Sequence, residues 1–327
     1  MYIAILTQDV TVFVFITSQT NKMSLIIPLL DESIKLSRNE EYLGKKKSTF
    51  WASESEIMAF EIFHRWIGTK PTNPISEEKL MMLKMRKLTE EAVILFLRKS
   101  GKLIERFSND ERCFFEWGKH KVPISGYPDA GIEINGEEII VEVKTYYGGF
   151  QHSRVRIGDV KTSYLSQLAI YLYHLKIKRG ILLMINQGTG ERYEYDLYQT
   201  GDNPHHFICP DNTVEIDLER VFKRFEKIWI ENVKPGIEPK IEYLYKYPVD
   251  KINWDNVSSS IISKARNDKS VHGDWQIKYS DFKDMIVKKQ GTCLGYSEKE
   301  LEIIRTVTTG YSTRKKNQVR FDPSELK

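Results

Sequence analysis

Apolar residues at Ile57, Phe60, Ile62, Phe63 and Trp66 recur at helical spacing, so residues 53–66 are expected to form a helix. Two prolines within 70–74 end it. Residues 77–99 read as one long helix, with Leu80, Leu83, Leu88, Ala92, Leu95 and Phe96 near one face. Ser76 is its expected N-cap, and Gly101 its stop. After Gly101 the period changes. Residues 112–117, 119–125 and 131–134 look extended, Asn135-Gly136 is a strong hairpin turn, and 138–145 (EIIVEVKT) should be a central strand. A helix is expected at 164–176, strands at 180–185 and 193–198, and an amphipathic helix at 214–229 bearing Leu218, Val221, Phe222, Phe225 and Trp229. Beyond Pro235 the pattern weakens, leaving helical stretches at 255–266 and 297–307.

This order predicts an α/β fold, a mixed central β-sheet flanked by helices. The expected parts are an N-terminal extension and helical flank at 1–84, the core at 85–232 and a less regular accessory region at 233–327. Residues 3–16 are apolar and β-branched but interrupted by Gln8 and Asp9. They are too short to cross a bilayer as a helix, lack the flanks of a secretory signal, and are expected to form a strand. Met23 remains open as the natural start, which would make the first 22 residues an upstream extension.

Composition narrows the classes. In 327 residues, 41% are hydrophobic and 12% aromatic, enough for a buried core and too much for disorder. The formal net charge is only +4, which excludes a histone-like polycation but leaves room for a local basic face. Three scattered cysteines, Cys113, Cys209 and Cys293, supply neither a disulfide framework nor a paired-cysteine metal site. A reducing compartment such as the cytoplasm (a host's, for a viral protein) is expected, with no membrane role.

The informative stretch is GYPDAGIEINGEEIIVEVKT. Strand alternation puts Glu142 and Lys144 on one face and Val141 and Val143 on the other. Asp129 lies across the hairpin and folds back beside them. Two hard carboxylates next to an ammonium suit Mg²⁺-assisted phosphodiester hydrolysis. A Glu-x-Lys pair alone means little, since Glu77-Lys79 and Glu238-Lys240 are of the same kind and read as ordinary surface charge. The pair at 142–144 differs by sitting inside a β-branched strand, after Pro128-Asp129 and a hairpin. Downstream, KTSYLSQLAIYLYHL places Gln167 and Tyr171 four apart on one helix face.

PD, then ExK on a strand, then QxxxY on the next helix resembles the RecB-like branch of the PD-(D/E)XK nucleases, which includes phage and CRISPR-associated exonucleases. The resemblance covers roughly residues 50–200. It implies a restriction-endonuclease-like core in which Asp129 and Glu142 bind divalent metal, Lys144 supports the water nucleophile, and Gln167 and Tyr171 position DNA and the site. The family also places an acidic residue or histidine on an earlier helix. KMRKLTEEAVILFL stands there, and Glu90 is the expected ligand, so the metal set is Glu90, Asp129, Glu142 and Val143. The expected cofactor is Mg²⁺, with Mn²⁺ substituting. Many relatives hold an iron–sulfur cluster through a W-x-C-x-Y-C-like segment. Here Trp275-Gln276-Ile277-Lys278-Tyr279-Ser280 carries no thiolate, no cluster is expected, and Trp275, Tyr279 and Phe282 are expected to pack the C-terminal region.

Between Lys144 and Gly180 the chain carries a net charge of +6, with Tyr146, Tyr147, Phe150, Tyr164 and Tyr173 interleaved. Bases stacking and phosphates pairing would use such a stretch, and Tyr146, Arg154, Arg156, Lys161 and Tyr164 are the expected DNA contacts. His205-His206 and the basic tail at 314–320 read as loop and frayed terminus. The leading expectation is a metal-dependent DNA exonuclease. The competing ones are a non-cleaving DNA-binding or assembly protein, which should have lost a carboxylate or the lysine, and a structure-specific endonuclease.

Overall fold

The computed structural model describes residues 4–7, 10–13, 26, 32, 46–107 and 112–309. Contacts divide the chain into two units, Met1–Asn39 and Glu40–Lys327. In the first, the expected single strand is a pair, β1 (Ala4–Thr7) and β2 (Val10–Phe13), antiparallel with Ala4 opposite Phe13. The ends of that stretch, its Gln8-Asp9 interruption and the basic tail at 314–320 lie outside the described residues.

The second unit begins with β3 (Phe50–Trp51), a 3-10 turn at Ala52–Glu54, and helices α1 (Ala59–Ile67) and α2 (Glu77–Lys99). The helix expected at 53–66 is thus split, a 3-10 turn then α1. Strands β4 (Cys113–Trp117) and β5 (Val122–Gly126) join β3 in a three-stranded sheet, β5 at its centre. The main sheet has six strands in the order β11-β10-β9-β8-β7-β6. Strands β6 (Ala130–Ile134) and β7 (Glu137–Tyr146) form the expected hairpin, and Asn135 and Gly136 take the positive φ values of 54° and 82° that its tight turn needs. Helices α3 (Gly149–Arg156) and α4 (Thr162–Leu175) lead to β8 (Arg179–Asn186), which pairs parallel with β7. The crossover is the one a parallel pair requires.

β9 (Arg192–Gln199), β10 (His206–Cys209) and β11 (Val214–Asp217) complete the sheet antiparallel. The helix expected at 214–229 therefore starts late. Its first residues form β11, and α5 (Leu218–Ile228) begins at an N-cap where Asp217 accepts from the Glu219 amide at 2.9 Å. After it come α6 (Ser259–Arg266), α7 (Trp275–Lys278), α8 (Lys283–Lys289) and α9 (Glu298–Val307).

β7 is buried on both faces. Ile140 and Tyr146 join the core under α4 and α5, while Ile139, Val141 and Val143 pack toward Ile94, Val93 and Leu97 of α2. α2 spans the expected residues but turns a different face inward. Leu83, Leu88, Leu95 and Phe96 are exposed, and Ile94 is its buried residue. Apolar and charged residues are mixed on every face of the helix, so spacing alone does not select the buried one. A separate cluster forms the C-terminal region around Trp254, Ile277, Phe282 and Ile286, and reaches α1 through Met58 and Phe60. Phe282 packs there as expected. Trp275 and Tyr279 do not, because the four-residue α7 turns Ile277 inward and leaves both rings outside. Among the described residues, no helix is long and apolar enough to cross a membrane.

Candidate active site

The β6–β7 register pairs Ala130 with Val141, so Asp129, one residue before β6, stands opposite Glu142. Its Oδ2 accepts the Val143 N–H at 2.7 Å, which fixes the carboxylate at the sheet edge. Glu142 is fully buried. Lys144, two residues on and on the same face, donates its ammonium to Glu142 Oε1. Glu142 Oε2 is buried with no hydrogen-bond partner. Val143, expected in the metal set, contributes its amide to Asp129, a positioning contact.

The electrostatics follow from this crowding. Burial, reinforced by Asp129, pushes the Glu142 carboxyl up to about 8 despite Lys144. Burial raises Asp129 as well, against the pull of Lys144 and the Val143 amide. Glu90, on α2, is pushed up to about 7 by burial and by Asp129. For Lys144, burial opposes the charge, but Glu142 and Asp129 outweigh it and hold the ammonium above its ordinary range. Three acids and one base thus interact across β7 and α2.

No cluster of three or more His, Cys, Asp or Glu side chains stands ready-made for a metal ion among the described residues. The donor chemistry still fits a small hard cation. Asp129 and Glu142 offer carboxylate oxygens, one of them unpaired and buried, and such ions keep several positions for water and substrate oxygens. Glu90 is close enough to add to the same negative field.

A cavity of about 370 Å³ opens over this cluster at the end of β7. Glu90, Lys144, Tyr164 and Gln167 line it, together with Ser53, Arg86 and Lys87. Gln167 donates to Tyr171 Oη at 3.0 Å. Tyr171 is only 2% exposed, so it props Gln167 and has no open face for a nucleic acid. Gly126 makes this possible, since a Cβ there would sit 2.6 Å from the Tyr171 ring. The turn that carries Ser53 is held at its end by Arg224, whose guanidinium donates to the carbonyls of Glu54, Ser55 and Ile57.

Arg86, Lys87 and Ser53 escaped the sequence reading. Arg86 lies one turn before Glu90, and that i, i+4 relation was the available signal. The expected DNA contacts divide. Lys161 and Tyr164 stand beside the cavity, with both Lys161 and Lys144 ammoniums 5.5 Å from the Tyr164 ring centre. Arg156 is exposed on α3. Arg154 is engaged within the chain, donating to Asp159 at 2.6 and 2.8 Å. Tyr146 is buried beside His152, because it shares the inward face of Glu142, and its ring is not available for stacking. Of the paired histidines, His205 stacks on Tyr173, its ring centroid 4.9 Å away.

The sequence matches no established protein-family description and no curated protein. Among solved structures, the chain is similar to SSO0001 at 13% identity and a TM-score of 0.43, covering 72% of this chain and 97% of that one. It is similar to an alkaline exonuclease from Laribacter hongkongensis, LHK-Exo, at 12% identity and a TM-score of 0.36, covering 63% and 94%. The same exonuclease in complex with dAMP gives 14% identity and a TM-score of 0.38, covering 61% and 95%.

Proposed function

We propose that this chain is a divalent-metal-dependent DNA nuclease, an exonuclease acting at DNA ends. The observation that carries the reading is the fully buried Glu142, with one oxygen bound to Lys144 and the other unpaired, coupled electrostatically to Asp129 and Glu90 beside a cavity that Glu90 and Lys144 line. Burying a carboxylate without satisfying it is costly, and such groups concentrate where charge is put to use. The residues present fit Mg²⁺, with Mn²⁺ as a substitute, held by Asp129 and Glu142 with Glu90 in support. When bound, such an ion polarises the phosphate and acidifies water.

The chain's own residues supply the rest. Asp129, anchored by the Val143 amide, and Glu142, anchored by Lys144, hold fixed positions before substrate arrives, which lowers reorganisation in the transition state. Lys144 sets its ammonium where negative charge grows on the reacting phosphate. Gln167, propped by Tyr171, and Ser53 offer neutral hydrogen bonds to the strand, and Arg86 and Lys87 draw the polyanion toward the cavity. Both carboxylates and the lysine are present, which favours cleavage over a purely binding role.

The deciding experiment incubates 5′- and 3′-labelled single- and double-stranded DNA with the protein in Mg²⁺, Mn²⁺ or EDTA. Mononucleotide release from one end, absent in EDTA and in Asp129→Asn, is the expected result. DNA binding without metal-dependent cleavage would replace the reading with that of a binding protein, and internal cuts would make it an endonuclease.

A further inference from the structure

Trp275 and Tyr279, the two aromatic residues of the C-terminal region that sequence reasoning sends to the core, are 54% and 69% exposed. They are four residues apart on α7 and its cap, and the Tyr279 amide bonds back to the Trp275 carbonyl at 3.3 Å. Ile277 between them is fully buried and fastens the helix, so the rings are presented by a fixed base. Thr72 and Asn73, just before α2, donate their amides to the Asp281 carbonyl at 2.9 Å and tie this base to the loop leading into α2.

Lysines link these rings to the site. The Lys161 ammonium lies 5.5 Å from the Tyr164 ring centre and 5.8 Å from that of Trp275. Lys144 is 5.5 Å from the same Tyr164 ring, and Lys79 is 5.7 Å from Tyr279. Cation and ring therefore alternate from Lys144 through Tyr164 and Lys161 to Trp275. Trp275 also stands at the rim of a second cavity of about 480 Å³, whose wall carries Glu56, Glu215, Asp217 and Glu242 as well as Arg220 and Arg224. Four carboxylates against two arginines make that wall a poorer place for phosphates than the Lys161 side.

We infer that Trp275 and Tyr279 form a stacking platform for unpaired bases of a single DNA strand leading to the cavity at Lys144, with Lys161 and Lys79 pairing its phosphates. Open aromatic faces interleaved with ammoniums are the recurring means of holding single strands without sequence preference. A blunt duplex keeps its base faces stacked inside and cannot use such rings. The inference rests on the nuclease reading for what happens at Lys144, and not for the binding itself.

The test measures binding of oligothymidylate and of a blunt-ended hairpin duplex in EDTA, where no cleavage intervenes. Oligothymidylate should quench tryptophan fluorescence of the wild-type protein, and Trp275→Phe should remove that component while keeping affinity. Trp275→Ala with Tyr279→Ala should weaken single-strand binding by about tenfold or more, the scale of one or two lost stacks, and leave duplex binding unchanged. Both side chains are exposed, so an unchanged melting temperature is expected for the double variant. Equal quenching in wild type and Trp275→Phe, or equal losses on single strand and duplex, would overturn the platform. A wild-type protein that shows the quenching yet cuts nothing with Mg²⁺ would sink the nuclease reading and leave the platform standing.

Discussion

Burial works against a charge on Glu142 and raises its carboxyl to about 8, and that conflict makes its chemistry testable. Glu142→Gln keeps the shape and removes the charge. Activity with Mg²⁺ should fall by about a thousandfold or more, the upper range for losing one preorganised charge-stabilising group. In EDTA the variant should melt at or above the wild-type temperature, since a buried carboxyl raised to about 8 is a burden on the cation-free fold at neutral pH. Adding Mg²⁺ should raise the melting temperature of the wild type and not of the variant. A variant that cleaves normally, or shifts with Mg²⁺ as the wild type does, would displace the proposed site from Glu142. Asp129, Glu142 and Lys144 were legible because a hairpin and a two-residue period bring them together with no long-range information. Tyr146 was misread by the same period. It shares the face of Glu142, but whether that face is wet or covered depends on His152, which arrives from α3.

At the scale of elements, β5 and α4 meet where Gly126 lies against Tyr171. A Cβ on Gly126 would come within 2.6 Å of Tyr171 Cε1 and 3.2 Å of Ala52 Cβ, and neither buried neighbour can swing away cheaply. Gly126→Ala should cost about 1–3 kcal/mol in urea unfolding, as overpacked cores do, and should lower turnover by moving Tyr171, Gln167 and the turn bearing Ser53. Tyr171→Phe removes only the acceptor of the Gln167 hydrogen bond and should cost about 1 kcal/mol. If Gly126→Ala proved no more harmful than Tyr171→Phe, the close packing of these two elements would not govern the site. Elements defined by their own punctuation were readable, as α2 shows between Ser76 and the turn at Gly101. Its orientation was not, because Leu83, Leu88, Leu95 and Phe96 outcompete Val93, Ile94 and Leu97 in any count of apolar positions. Only the sheet reveals which row it covers. β11 was hidden likewise, since Val214 and Ile216 continue the apolar pattern of α5 until Asp217 interrupts it as a cap.

Across the Glu40–Lys327 unit, α1 joins the core around the six-stranded sheet to the C-terminal cluster, and it does so through charge as well as apolar packing. Arg65 donates to Glu54 at 3.1 Å, to Glu61 at 2.5 Å and to Asp281 at 2.8 Å. Its neighbour His64 is buried between Phe60 and Phe282, with Nε2 2.9 Å from Glu238 and Nδ1 2.9 Å from the Thr69 hydroxyl. Burial, with a smaller push from Lys289, holds His64 below its ordinary 6.5 in spite of Glu238. A neutral imidazole donating from Nε2 and accepting at Nδ1 satisfies both contacts. The unfolded chain takes up a proton near 6.5 that the folded chain resists. Stability from His64 is therefore fully present above 6.5 and declines as pH falls through the depressed folded value. Glu238 acts in the same sense, because Lys289 and His64 outweigh its burial and hold it below the usual carboxylate range, so its contribution also fades in acid. As pH falls from 7.5 to 5.5 the wild type should lose stability relative to His64→Gln, which keeps a donor and an acceptor without a titrating ring. The raised carboxyls of Glu142 and Glu90 work in the opposite sense but equally in both proteins, so the difference between the two melting temperatures isolates His64. Arg65→Met should cost about 3 kcal/mol, since it takes the shared cation away from the buried Glu61 and from Glu54, which keeps only Lys47. A difference that stays constant with pH would show that any acid sensitivity arises elsewhere, and that the joint between the two clusters is held by Phe60, Met58 and the Arg65 network alone.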